Sequence, residues 1–64
     1  MRTFRVVNKE PVLRNEYISE EEYFLVALTE QEVVYKKVVG HGASFMRPSK
    51  FKEALSKGAI VFTD

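Results

Sequence analysis

The sequence contains no cysteine, one histidine, two prolines and three glycines, and the scarcities exclude whole classes of solution. Without cysteine, neither a disulfide nor a thiolate metal site can staple the fold. The lone histidine, His41, would need three further ligands to hold zinc, and only carboxylates could supply them. No metal site and no cofactor is therefore expected. No apolar run exceeds the six residues Tyr23–Leu28, against the roughly 20 that a membrane helix requires. Arg2, Arg5 and Lys9 interrupt the start of the chain and no apolar stretch follows them, so no secretory leader is read there. A soluble, cytoplasmic protein is the expectation.

What is present is ordinary globular material: 64 residues, 45% hydrophobic, 12% aromatic and 30% charged. That length predicts one domain over 1–64. A chain of about 60 residues buries only about 60% of the surface its unfolded form exposes. Packing must therefore lean on bulky anchors, here five Phe and three Tyr, or on a partner. The net charge of +1 is unevenly placed: residues 1–32 carry four basic and seven acidic groups, residues 33–64 six basic and two acidic. Such asymmetry can mark an acidic partner or nucleic acid. Two solvated faces also explain it, because a nucleic-acid binder is usually far more basic.

Along the chain, Arg2–Val7 alternates in a period-2 pattern and reads as a strand, ended before Pro11, which has no amide donor. Val12–Ile18 mixes apolar and polar residues without a period and reads as a loop or a short irregular strand. The stretch Glu20–Val39 has two readings. Ser19 with Glu22 makes a capping-box pattern, and Lys36, Lys37 and Gly40 suit a helix C-terminus. Yet the stretch is rich in β-branched valine, and its best helical stripe carries Gln31 in the middle. Two runs of Val, Tyr and Phe around Thr29-Glu30-Gln31-Glu32 fit a hairpin over about 21–39 better. After Gly40-His41-Gly42, Pro48 suits a first helical position. Phe51, Ala54 and Leu55 form an i, i+3, i+4 stripe, and Gly58 suits a terminus, which predicts a helix over about 47–57. Ala59–Thr63 reads as a last strand. The expected fold is α+β: a small antiparallel β-sheet of three to four strands, with one α-helix packed on one face.

A regular two- or four-residue hairpin loop sets Leu28 opposite Val33, Val26 opposite Tyr35 and Phe24 opposite Lys37. Phe24, Val26, Leu28, Val33 and Tyr35 then hold the helix. The second face carries Tyr23, Leu25, Val34 and Val38 with Lys36 among them, and these five are the protein-interface candidates. One helix covers only one face of a sheet, so either Val12–Ile18 folds over the second face or a partner does.

Chemistry-bearing patterns are weak. His41 has Ser44 three residues away but no group to orient it as a base. Gly40 and Gly42 lack the longer motif of a phosphate loop. Glu20, Glu21 and Glu22 are neighbours that point in different directions. No catalytic residue is assigned. The most usable polar set is Lys37, His41, Arg47, Lys50, Lys52 and Lys57, candidates for nucleic acid or an acidic partner. The leading expectation is a small non-enzymatic binding module that docks on another protein or on itself as a homodimer. The alternative is a nucleic-acid-binding domain using the basic C-terminal half.

Overall fold

The structure, a computed structural model, describes residues 1–64. Five strands and one helix follow in chain order: β1 (Thr3–Val6), β2 (Glu22–Leu28), β3 (Val33–Lys37), β4 (Ala43–Met46), α1 (Pro48–Ser56) and β5 (Ile60–Phe62). The strands form one antiparallel sheet in the order β4-β3-β2-β1-β5. This is the α+β fold expected, with a fifth strand, β4, that the sequence left unassigned between turn and helix. Glu20–Val39 is a hairpin and not a helix, and Ser19 caps nothing. No helix is long and apolar enough to cross a membrane.

The hairpin turn works without glycine. Thr29 Oγ1 accepts the N–H groups of Gln31 and Glu32 at 3.2 and 3.1 Å, and the Thr29 N–H reaches the Glu32 carbonyl at 3.0 Å. This side-chain-to-backbone turn ties the two strands together at Leu28 and Val33.

The register differs from the regular one in a single respect. Leu28 pairs with Val33 as expected, but a β-bulge lies between Leu25 and Ala27. Val26 and Ala27 together oppose Val34, so Leu25 faces Tyr35, Phe24 faces Lys36 and Tyr23 faces Lys37. One extra residue on one strand moves everything beyond it to the opposite face. Tyr23 and Leu25 thus join the core, while Phe24 and Val26 move to the other side. Leu28 stays on the core side at the sheet margin, where it is exposed.

One cluster of 13 buried residues forms the core. Phe4 is at its centre, with ring centroids 5.6 Å from Tyr23, 6.2 Å from Tyr35 and 5.5 Å from Phe51. Edge-to-face aromatic pairs add about 0.5–1.5 kcal/mol each beyond their buried area. α1 lies over β1 and β5, where Phe51 meets Phe4 and Phe62. Its end is a Schellman turn: the Gly58 N–H bonds the Leu55 carbonyl at 3.2 Å and the Ala59 N–H the Ala54 carbonyl at 2.9 Å. Gly58 sits at φ +75°, a conformation that costs residues with a Cβ.

The segment 8–21 completes the same layer. Val12, Leu13 and Ile18 are buried in the cluster. Over β3, the Tyr35 hydroxyl donates to the Tyr17 carbonyl at 3.0 Å; over β2, the Ser19 N–H donates to the Tyr23 hydroxyl at 2.8 Å. Val12–Ile18 does not, therefore, fold over the second face. It packs beside the helix on the first.

Candidate functional site

With helix and loop on one side, the other side of the sheet has no cover. Its grid follows from the strand register. One row runs Phe45–Val34–Val26/Ala27, the next Ala43–Lys36–Phe24–Thr3, and the last pairs Glu22 with Arg5 and Arg5 with Val61. Phe45 is 69% exposed, Val26 43% and Val61 41%. Phe24, Ala27 and Val34 are half-buried by their neighbours. The apolar side chains gather toward β3 and β4. Polar contacts close the opposite corner, with Arg5 3.8 Å from Glu22 and Thr63 Oγ1 donating to Glu22 at 2.8 Å. Lys36 extends over the Phe24 ring, 5.8 Å from its centroid, and pairs with no carboxylate.

Of the five interface candidates read from the sequence, Val34 and Lys36 lie on this open face. Tyr23, 3% exposed, and Leu25, packed against the core, do not. The bulge is the physical reason. Val38 is 38% exposed just beyond β3, its N–H bonded to the Glu22 carbonyl. The open-face residues missing from the interface candidates are Phe24, Val26, Phe45 and Val61. Phe45 had a legible signal, an aromatic inside a short run with no helical period, but no strand had been assigned there.

The six basic candidates separate. Lys37 ends β3 and is held by Glu21 at 3.3 Å. His41 is exposed in the turn before β4 and makes no side-chain hydrogen bond. Arg47 follows β4 at the opposite end, and the four-residue strand holds the two ends roughly 13 Å apart. Lys50 and Lys57 both pair with Glu53, at 3.5 and 3.9 Å. Lys52 is exposed on α1. Arg47 and Lys50 share the lining of a shallow 610 Å³ cleft with Glu16, Glu32 and Glu53, so the cations there are offset locally.

The acidic run disperses in the same way. Glu20 accepts the Lys9 N–H at 2.9 Å, Glu21 takes Lys37, and Glu22 takes Arg5 and Thr63. His41 and Ser44 both line a 130 Å³ recess with Lys37 and Tyr35, without a hydrogen bond between them. Gly40 and Gly42 adopt φ values of +138° and +83°, which the turn itself uses.

The only strongly shifted titration belongs to Tyr35, whose hydroxyl is raised from 10.0 to about 12 by burial first, then by the Glu16 carboxylate and Tyr23. Its hydrogen bond to the Tyr17 carbonyl makes it a structural donor. Through its open face the arrangement can bind by surface complementarity. No protein-family model, curated protein or solved structure matches this chain, so the reading of its function rests on the chain's own surface.

Proposed function

We propose that this chain is a small non-enzymatic binding module that docks on another protein through the open face of its sheet. A single observation carries the reading: helix and loop cover the same face, leaving Phe24, Val26, Val34, Phe45 and Val61 without cover. A standard interface takes about 800 Å² from each partner. Against the chain's 4356 Å², such a contact must span most of one side, and the open face is the side that lacks a second layer.

A photo-crosslinking residue placed at Val34 or Phe24 in the native host tests the reading. Covalent adducts from these two positions, and none from Lys52 on α1, are expected. An adduct at twice the mass of the chain identifies the homodimer form. Equal adducts from sheet and helix positions, or adducts from Lys52 alone, would sink the proposal.

The nucleic-acid alternative is the weaker reading, because Lys37, Lys50 and Lys57 are already held by carboxylates. Salt-dependent retention on DNA or RNA would revive it.

A further inference from the structure

Five recesses mark the surface, and four of them have at least one carboxylate in their lining. The exception is the 130 Å³ recess between Tyr17 and the turn that joins β3 to β4. Strand register builds it. β3 sets Tyr35 and Lys37 on the core side of the sheet, β2 places Tyr23 opposite Lys37, and β4 places Ser44 opposite Tyr35.

The recess gathers donors that lack acceptors. The Tyr23 hydroxyl accepts the Ser19 N–H at 2.8 Å, yet nothing in the chain accepts its own proton, although the residue is only 3% exposed. Half-buried Ser44 and exposed His41 make no side-chain hydrogen bond, and the Gly42 N–H donates to no group. Tyr35 has already given its proton to the Tyr17 carbonyl. The Lys36 ammonium lies over Phe24 on the other side of the sheet and brings no charge here. Lys37 is therefore the cation. Glu21 meets it at 3.3 Å from outside the lining, with both side chains at least 40% exposed. Surface pairs of this kind are weak, and an ammonium has further donors to offer.

We propose that this recess binds one phosphate group, free or as the end of a small phosphomonoester. Converging N–H and O–H donors beside a cation match an oxyanion, whose hydrogen bonds are charge-assisted. A cationic ligand would meet no carboxylate there, and an apolar one would leave the Tyr23 proton without an acceptor. Size sets the limit. A volume of 130 Å³ is the room of about four waters, enough for a phosphate group and too little for a nucleoside. The recess opens on the side of the sheet opposite Phe24, Val34 and Phe45, so it is independent of the open-face reading.

The probes are inorganic phosphate and glycerol 3-phosphate, each titrated into the full chain at neutral pH, with sodium chloride at matched ionic strength as the control. Backbone amide shifts are followed by NMR. Saturable shifts at Tyr17 and at Gly40–Ser44 are expected with phosphate, and none with chloride. Tyr23→Phe keeps the ring, removes the proton and should weaken phosphate about tenfold. Glu21→Gln releases Lys37 and should tighten it about threefold. Lys52→Gln, on α1, should leave it unchanged. The chloride spectra report whether each variant keeps its fold; if Tyr23→Phe does not, Ser44→Ala takes its place with the same expected direction. Saturable binding of phosphate but not of the ester assigns the free ion, and binding of both assigns the ester's end group as well. Shifts that rise linearly, shifts equal to those with chloride, or shifts centred on Lys50–Lys57 overturn the site. Unchanged affinity in both the donor variant and Glu21→Gln overturns it too. Loss of the crosslinks from Val34 and Phe24 is a separate failure, belonging to the protein-docking reading alone.

Discussion

Tyr35 does two jobs with one side chain: its ring fills the core against Phe4 and Tyr23, and its hydroxyl fastens the segment 8–21 at the Tyr17 carbonyl. Tyr35→Phe keeps the ring and removes the bond, and should cost about 1 kcal/mol at neutral pH in urea unfolding. The raised hydroxyl adds a pH signature. The ordinary value is 10.0 and the folded one about 12, so on a rise in pH the unfolded chain gives up this proton first. The contribution is whole below pH 10.0 and is lost as pH climbs through about 12. Urea unfolding at pH 8, 10 and 11 should show a shallower alkaline decline in Tyr35→Phe than in the parent. Equal slopes would remove Tyr35 as the source. Gly58 is the second residue with an outsized role. A methyl there meets nothing within 4 Å, yet φ is +75°. Gly58→Ala should therefore destabilise by about 1 kcal/mol through the backbone alone, or about 4–8 °C in thermal unfolding.

At the scale of elements, the bulge in β2 decides which side chains face the helix. Because Val26 is the extra residue opposite Val34, deleting it leaves Leu25 across from Tyr35 and Leu28 across from Val33. The deletion is expected to keep the sheet, read by cross-strand amide contacts in NMR. A chain that no longer unfolds cooperatively would show that the bulge, and not the pairing, holds β2. The faces can also be told apart by charge. Leu25→Glu buries a carboxylate against the core and should cost more than about 2 kcal/mol. Val34→Glu lies on the open face, half-buried but away from the core, and should cost less than Leu25→Glu, within about 1 kcal/mol of the parent. Comparable losses in the two would mean the faces are assigned wrongly.

At the scale of the molecule, helix and loop form one layer over one sheet face and share one core. Phe51→Ala from α1 and Leu13→Ala from the loop should each lower the stability of the whole chain, by about 3–5 and 2–5 kcal/mol. Total stability for this size is only about 3–10 kcal/mol, so either change brings the chain near its unfolding threshold. Circular dichroism and tyrosine fluorescence should give coincident transitions for each. A loop that melts early in Leu13→Ala, with the sheet intact, would separate it from the core. All six ion pairs involve side chains at least 34% exposed, and surface pairs contribute little.

Strands β1, β2, β3 and β5, the helix and its terminal glycine were legible in the sequence because each is a local pattern: alternation, a 3.6-residue stripe, proline before and glycine after. Pro48, Phe51, Ala54 and Gly58 alone place α1. The allocation of faces was not legible. It turned on one unpaired residue in β2, and a bulge leaves no mark in a run as uniformly apolar as Tyr23–Leu28. The same limit applied to β4, where four residues between a glycine turn and a helix carry too little periodicity to register. Tertiary structure also decided where Val12–Ile18 went. Its hydrophobic residues had no period, and the burial of Val12, Leu13 and Ile18 in the core, with the hydroxyls of Tyr23 and Tyr35 bonded to its backbone, set it beside the helix. The sequence by itself determined four of the five strands, the helix and their order, because propensity and spacing act over a few residues. The tertiary structure alone decided which side of the sheet stays open, because that depends on register and on where a segment without a pattern packs.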